Sequence, residues 1–132
     1  MQEKLVKAAK RASSLAYAPY SNFHVGAALL TWDDVIYTAC NIENASFGAT
    51  ICAERAAVAI AVSEGKRSFK AIAIYAETDE PISPCGICRQ VLAEFSKQMT
   101  VYCSCKSGKT ITYSLSDLLP DAFDLQKSVQ DE

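Results

Sequence analysis

Three cysteines and one glutamate stand in two short motifs whose residue types are typical of metal or redox chemistry. Cys52 and Glu54 lie in ICAER, and Cys85 and Cys88 lie further along the chain in SPCGICR. A Cys-x-x-Cys pair at the start of a helix can be a redox dithiol, half of a structural zinc site, or two ligands of a catalytic zinc ion. The pair alone does not distinguish these sites.

Both motifs are predicted to lie at the N-termini of helices. One helix is predicted through CAERAAVAIAVSE, with Thr50 as its cap and Gly65 at its end, and another from near Gly86 to Phe95. The free N–H groups and positive dipole end of a helix N-terminus stabilise thiolates, the form that binds metal. Because helix N-termini can converge at one end of an α/β sheet, we expect the two motifs to meet there.

Each of the three kinds of site makes a different demand on the rest of the chain. A redox dithiol leaves Cys52 and Glu54 without a function. A closed structural zinc site needs a fourth soft ligand. The candidates, none with convincing spacing, are His24, Cys40, Cys103 and Cys105. The third kind is an open zinc site with three thiolates and a water, which needs a proton carrier nearby. Glu54 lies roughly 200° around the helix from Cys52, so it is poorly placed to bind the same ion and is better suited to carry protons.

Length and composition predict one globular domain over residues 1–132. Half of the residues are hydrophobic, which is enough for a sizeable core. With 13 Lys and Arg against 15 Asp and Glu, the chain has no evident basic surface for nucleic acid. No apolar run approaches the roughly 18 residues of a membrane span, and the first residues are too charged for a signal peptide. We therefore expect a cytoplasmic protein with reduced cysteines, no membrane contact and no nucleic-acid partner.

The predicted elements are those of an α/β sandwich around a mixed sheet. An N-terminal helix from Glu3 to Tyr17 precedes two strands, VGAALLTW and VIYTACN, joined by Asp33 and Asp34. The strand KAIAIYA lies between the two helices described above, and TVYCSC and TITYSL form a last strand pair. A short final turn is expected with Ser116 as its cap. Two strand-then-helix units favour the α/β class.

The motifs FHVGAALL, NIEN, CAER and SPCGICRQ together resemble the small, single-domain cytidine deaminases over nearly the whole chain. Cys-x-Glu followed by Pro-Cys-x-x-Cys is the signature of zinc nucleobase deaminases. The resemblance implies a three-layer sandwich with a mixed five-stranded sheet flanked by helices. It also implies one zinc ion per chain, held by Cys52, Cys85 and Cys88, and hydrolysis of cytidine and deoxycytidine to uridine, deoxyuridine and ammonia in pyrimidine salvage.

The same resemblance implies how the reaction proceeds. A zinc-activated hydroxide attacks C4 of the cytosine ring. Glu54 takes the proton of the water, delivers it to ring N3, and later passes a proton to the leaving amino group. Arg55 resembles a donor to the zinc thiolates, whose combined charge would otherwise weaken the pull of the metal on its water.

Substrate-binding residues also follow from the resemblance. Asn41 and Glu43 would bind the ribose hydroxyls, and Phe23 would pack on the pyrimidine. The Ala53 N–H and the Ser83 carbonyl would read the edge of the ring. Relatives of this size are homotetramers, so Phe123 is expected to help close the pocket of a neighbouring subunit.

Two other functions remain as alternatives. One is deamination of another nucleoside, such as the antibiotic blasticidin S, or of a nucleotide. Blasticidin-type relatives generally lack the Asn-x-Glu pair of NIEN, and no added basic residues for a phosphate are found. The other is a non-catalytic structural zinc or redox module.

Overall fold

The computed structural model describes residues 1–125, and residues 126–132 lie outside the described part. Along the chain the elements are α1 Gln2–Ser13, β1 Val25–Thr31, β2 Ile36–Cys40, α2 Ala53–Ser63, β3 Phe69–Ala76, α3 Gly86–Phe95, β4 Thr100–Ser104, β5 Thr110–Ser114 and α4 Leu115–Leu118. A 3-10 turn, Phe47–Ala49, precedes α2. None of the described helices is both long enough and apolar enough to cross a membrane.

The strands form one mixed sheet in the order β2-β1-β3-β4-β5. The β3–β4 pair is parallel and the other neighbouring pairs are antiparallel. The parallel pair needs a crossover connection, which α3 provides. Helix α1 packs on one face of the sheet, and α2 and α3 pack on the other. The predicted three-layer α/β sandwich with a five-stranded mixed sheet is therefore confirmed.

Alternating side chains of the central strands build two separate cores. In β1, Ala27 and Leu29 belong to the core beneath α2 and α3, whereas Ala28 and Leu30 belong to the core beneath α1. All seven residues of β1 are buried because both of its faces are covered by helices. Strand β3 alternates in the same way. The central strands are thus held rigidly from both sides.

Gly26 allows α1 to approach the sheet closely. A Cβ atom at this position would lie 1.9 Å from the carbonyl oxygen of Ala9 and 2.5 Å from the backbone nitrogen of Ser13. Both of these atoms belong to the backbone of α1, which cannot rotate away. The absence of a side chain at Gly26 therefore sets the spacing between α1 and β1.

Three predicted helix termini differ from the structure. Helix α1 ends at Ser13 instead of Tyr17, because Tyr17 pairs with the segment after β2: its N–H donates to the Asn41 carbonyl at 3.0 Å. Cys52, not Thr50, is the N-cap of α2, and the Thr50 hydroxyl instead accepts from the Asn44 N–H at 3.1 Å. The last turn begins after Ser114, so the predicted Ser116 cap is also wrong.

Strand register brings three chain segments to one end of the sheet. Val25 at the start of β1 pairs with Ala76 at the end of β3, and Gly26 pairs with Cys40 at the end of β2. The segments before β1, after β2 and after β3 therefore meet, and the N-termini of α2 and α3 open towards the same place. This is the end of the sheet at which sites form in α/β folds.

Candidate metal centre and active site

Three thiols converge between the N-termini of α2 and α3. Cys52 is the N-cap of α2, Cys85 is the N-cap of α3, and Cys88 lies in the first turn of α3. The Cys52 and Cys85 Sγ atoms are 3.9 Å apart, and all three Sγ atoms lie within 4.8 Å of one another. The expected meeting of the two motifs is what the structure shows, and it depends on both helices beginning at a cysteine.

The geometry of the three thiols fits a tetrahedral zinc ion. With Zn–S distances of about 2.3 Å, two ligands of a tetrahedron lie about 3.8 Å apart, close to the 3.9 Å between Cys52 and Cys85. Both helix N-termini favour the thiolate form of the ligands. No fourth cysteine, histidine or carboxylate joins this cluster within residues 1–125. The donor set is therefore that of an open zinc site, which leaves one position for a water or substrate.

Electrostatic contacts between the thiols favour ionisation of one of them. A hydrogen bond from Cys88, with further contributions from Arg55 and Cys85, lowers the pKa of Cys52 to about 5. The pKa of Cys88 is raised, because this thiol donates to Cys52 and is fully buried. The cluster thus holds a thiolate in place even before all three ligands ionise.

Glu54 lies beside the thiols in the first turn of α2 and is only 5% exposed. Burial, supported by the neighbouring charge of Cys52, raises the pKa of its carboxyl group to about 7. It lines the same cavity as Cys52 and Cys85. A buried carboxyl group at the floor of a cavity is chemically suited to accept and donate protons.

Arg55 extends from α2 back over the metal ligands. Its Nη2 atom lies 3.7 Å from the Cys52 Sγ and donates to the Thr50 carbonyl at 3.3 Å. Its Nε atom is buried without a hydrogen-bond partner among the described residues. The guanidinium therefore lies beside the Cys52 thiol, and its role as a donor to zinc thiolates stays a prediction.

A cavity of about 270 Å³ opens above Glu54 and the thiols. Five of the six predicted substrate-binding residues line it, together with Val25, Thr50, Ile51 and Ile82. These five are Phe23, Asn41, Glu43, Ala53 and Ser83. The structure brings these side chains together with the metal centre, while their individual roles stay predictions. The volume is just below the usual range for small-molecule pockets.

The polar groups of Asn41 and Glu43 already hold the segment before β1. Asn41 Oδ1 accepts from the Val25 N–H at 3.0 Å, and its Nδ2 donates to the Phe23 carbonyl at 2.7 Å. Glu43 accepts from the N–H groups of Tyr20 at 2.9 Å and Ser21 at 3.1 Å. Both side chains therefore shape the wall of the cavity as well as facing it.

Phe123 does not reach the cavity of its own chain. Its side chain is 66% exposed, and it is not among the described residues that line the cavity. The Phe123 carbonyl accepts from Gln90 Nε2 of α3 at 3.1 Å. The ring is thus displayed on the surface, and its predicted entry into a neighbouring subunit stays a prediction.

Arg89 was missed by reasoning from sequence. Its guanidinium donates to the Pro84 carbonyl at 2.7 Å, the Ser83 hydroxyl at 2.8 Å and the Leu118 carbonyl at 2.7 Å. It therefore fixes the loop that carries Ser83 and Cys85 and joins it to the end of α4. The position of Arg89 directly after Cys88 could have pointed to a role near the thiols. Its contact with the Leu118 carbonyl of α4 could not be foreseen, because the two residues are far apart in sequence.

Comparison with known proteins assigns the chain to a family. The family model of the cytidine and deoxycytidylate deaminase zinc-binding region matches residues 1–105. A cytidine deaminase of Sporosarcina psychrophila is 52% identical over 122 residues, which are 92% of this chain and 90% of the relative. The crystal structure of cytidine deaminase from Burkholderia pseudomallei has a TM-score of 0.91 and 48% identity, covering 93% of this chain and 99% of that one.

A more distant relative bears on substrate choice. The blasticidin-S deaminase of Bacillus cereus is 31% identical over 125 residues, or 89% of this chain and 88% of the relative. This identity is below the 52% and 48% of the two cytidine deaminases described above.

Proposed function

The chain belongs to the cytidine and deoxycytidylate deaminase family, and from this premise we propose how its own residues carry out the reaction. It is an enzyme, a zinc-dependent cytidine deaminase, which hydrolyses cytidine to uridine and ammonia. We infer that deoxycytidine is a substrate as well, and that residues 1–132 act as one deaminase domain. The observation that carries the proposal is the convergence of three thiols and a buried glutamate at the floor of one cavity.

Cys52, Cys85 and Cys88 would hold one zinc ion per chain. When bound, zinc supplies Lewis acidity that lowers the pKa of a water molecule towards neutrality. The 3.9 Å between the Cys52 and Cys85 Sγ atoms suits two ligands of one tetrahedral ion, and the Cys88 Sγ lies within 4.8 Å of both. Arg55 would hold the Cys52 thiolate in place and offset part of the negative charge of the ligand set.

Glu54 would move the protons of the reaction. Attack of a water oxygen on C4 of the pyrimidine requires the water to lose a proton, which the Glu54 carboxylate accepts and delivers to ring N3. The same carboxylate then takes the proton of the new C4 hydroxyl and passes it to the exocyclic amino group, so that the C4 carbonyl forms, the C4–N bond breaks, and ammonia leaves. One buried side chain therefore serves both ends of the reaction, and its exclusion from bulk water prevents loss of the proton.

The pyrimidine would be held between Phe23 and the first turn of α2. Ala53 is the first residue of that helix, so its N–H has no intrahelical acceptor and is free for a ring oxygen. The Ser83 carbonyl would accept from the amino group. Arg89 holds the Ser83 hydroxyl at 2.8 Å, which limits the movement of this part of the wall.

The ribose would bind at the side of the cavity formed by the segment after β2. Asn41 is buried and fixed at both polar atoms, and Glu43 retains acceptor capacity because three donors occupy two carboxylate oxygens. A ribose hydroxyl can donate to the remaining position of Glu43. The negative charge of the Glu43 carboxylate would repel a phosphate group on the substrate. Recognition of the ribose by Glu43 therefore favours a nucleoside without a 5′-phosphate.

We also propose a homotetramer in which neighbouring subunits complete each site. Several large apolar side chains are exposed on the single chain, and contacts between subunits would remove them from water. They are Tyr17, Tyr20, Ile42, Phe47, Ile60, Ile87 and Phe123. Phe123 is the candidate that would enter the cavity of a neighbour. Light scattering coupled to size-exclusion chromatography measures the assembly directly, and a monomer with full activity would contradict this part of the proposal.

We further propose a cytoplasmic location and a role in pyrimidine salvage. The three metal ligands must remain thiolates, which a reducing compartment favours. The formal net charge of −2 does not favour nucleic acid as a partner. The product uridine keeps the ribose, so the reaction conserves a usable nucleoside.

An assay of purified protein with cytidine, deoxycytidine and blasticidin S tests the proposal. The loss of absorbance on conversion of cytosine to uracil is recorded, and bound zinc is quantified in the same sample. Turnover of both nucleosides with about one zinc per chain is expected for an open catalytic site. Zinc-loaded protein that acts only on blasticidin S, or on none of the three, would contradict it.

A further inference from the structure

The segment that carries Phe23 into the cavity is held mainly by one carboxylate. This segment, residues 20–23, joins the region after α1 to β1, and its side chains are all exposed to some degree. Glu43 Oε1 accepts from the N–H groups of Tyr20 and Ser21, and Glu43 Oε2 accepts from the Ser21 hydroxyl. Three donors from two consecutive residues thus converge on Glu43.

The Ser21 hydroxyl has two partners at once. It donates to Glu43 Oε2, and it accepts from the Phe23 N–H at 3.0 Å. The tight turn that makes this possible contains Asn22, whose φ of 57° lies in the left-handed region that asparagine tolerates better than most residues. A chain of hydrogen bonds therefore runs from the backbone of Phe23 through Ser21 to the carboxylate of Glu43.

The backbone of Phe23 is fixed on its other side as well. Its carbonyl accepts from Asn41 Nδ2 at 2.7 Å. Both polar backbone groups of an exposed residue are thus held by side chains and not by sheet pairing. Loss of either side-chain contact would leave the ring free to change its position over the cavity.

We propose that Ser21 is a positioning residue for substrate binding, because its hydroxyl fixes the Glu43 carboxylate and the Phe23 backbone as one unit. This inference rests on the proposed function, which assigns Glu43 to the ribose and Phe23 to the pyrimidine. Ser21 sets the distance between the two ends of the nucleoside site.

The electrostatics of Glu43 agree with this arrangement. The Ser21 hydroxyl is the main cause of a pKa of Glu43 below its ordinary value, with smaller contributions from the N–H groups of Tyr20 and Ser21 and from His24. The ionised carboxylate is the form that accepts from a ribose hydroxyl. Ser21 therefore favours both the geometry and the charge state that the substrate needs.

The test compares kcat and KM for cytidine in Ser21→Ala, Ser21→Thr and Ser14→Ala. Loss of a hydroxyl bonded to a charged group should raise KM roughly tenfold while kcat falls less than threefold, since ground-state binding is affected and proton transfer is not. Ser21→Thr retains the hydroxyl and should restore KM to within about threefold of the wild type. Ser14→Ala is the matched control, because the Ser14 hydroxyl donates only to the Arg11 carbonyl and lies outside the cavity.

A double-mutant cycle with Glu43→Gln separates positioning from a general structural effect. If Ser21 acts through Glu43, Ser21→Ala should raise KM much less in the Glu43→Gln background than in the wild type. Equal effects in both backgrounds would overturn the proposal, as would an unchanged KM in Ser21→Ala. Thermal unfolding of each variant checks that the fold is retained, and Ser21→Gly provides a second deletion of the hydroxyl.

Failure of the proposed substrate roles of Glu43 and Phe23 gives a different pattern, whereas failure of the proposed activity itself would leave no turnover of cytidine in the wild type. In the first case Glu43→Gln and Phe23→Ala would both leave the KM for cytidine unchanged, and the Ser21 proposal would fall with them. If those two variants raise KM and Ser21→Ala does not, only the Ser21 proposal is wrong.

Discussion

Replacement of Arg89 by methionine should weaken zinc binding and lower the stability of the fold together. The guanidinium joins the Ser83 hydroxyl and the Pro84 carbonyl, next to the metal ligand Cys85, to the Leu118 carbonyl at the end of α4. Methionine replaces the apolar stem of the side chain as far as the position of Nε and has no donors. The variant therefore removes the three hydrogen bonds with little change in packing.

The size of the effect follows from the three contacts. A hydrogen bond from a charged donor contributes about 1.5 to 3 kcal/mol, which gives an upper limit of about 4.5 to 9 kcal/mol for three. Arg89 is only partly buried, so water replaces some of these contacts. We expect a loss of about 3 to 4 kcal/mol in the free energy of unfolding, a large part of the 5 to 15 kcal/mol typical of a domain.

Zinc affinity should fall because Cys85 directly follows the tethered Pro84. Loss of contacts that orient metal ligands typically costs about 10- to 100-fold in affinity. Competition with a chromophoric chelator measures this affinity, and urea unfolding at fixed protein and zinc concentrations measures stability. Arg67→Met is the matched control, since Arg67 is exposed and lies away from the metal centre, and it should change stability by less than about 0.5 kcal/mol.

The reasoning about Arg89 would be refuted by a variant that behaves like the control. If Arg89→Met retains zinc affinity within about twofold and stability within about 0.5 kcal/mol, the guanidinium does not hold the loop. A loss of stability without a loss of zinc affinity would refute only the link to Cys85.

Two further predictions concern the fold around the site. Gly26→Ala should lower the free energy of unfolding by about 3 kcal/mol or more, because the new Cβ would lie 1.9 Å from the Ala9 carbonyl oxygen. Gly48→Ala is the control, since a Cβ at Gly48 would have open space around it. Urea unfolding should show a change of less than about 0.5 kcal/mol for this control. Burial raises the pKa of Tyr75 from 10.0 to about 12. The neutral phenol of Tyr75 therefore contributes fully to the free energy of unfolding below pH 10, and this contribution is lost as the pH rises towards 12. Between pH 8 and pH 11, Tyr75→Phe should therefore lose about 1.4 kcal/mol less stability than the wild type, and equal losses would contradict the assigned titration.

The metal motif was predictable because its signals are local. Cysteine spacing and helix patterning place Cys52, Cys85 and Cys88 at helix N-termini, and the strand patterns give the sheet on which those helices rest. Their convergence follows from the general behaviour of α/β units. Local sequence was sufficient for the two helix N-termini, since the start of a helix depends on residues within about one turn.

The contacts that organise the site could not be predicted in the same way. Arg89 bonds to Leu118 and Ser21 bonds to Glu43, and both pairs are separated by more than a helix length in sequence. Helix termini failed for the same reason: Tyr17 leaves the helical pattern because it pairs with Asn41. Tertiary hydrogen bonds compete with the local preference of the chain for helix. Sequence patterns reveal that local preference and not the tertiary hydrogen bonds.

Glu54→Gln tests whether Glu54 carries the protons of the reaction. Glutamine has nearly the shape of glutamate but cannot carry the proton. The measurement is cytidine turnover with zinc quantified in the same sample, and Glu64→Gln at the exposed end of α2 is the control. We expect one zinc per chain in each protein, near wild-type turnover in Glu64→Gln, and a loss of about 10²- to 10⁴-fold or more in Glu54→Gln. Zinc-replete Glu54→Gln protein with substantial turnover would contradict this role of Glu54.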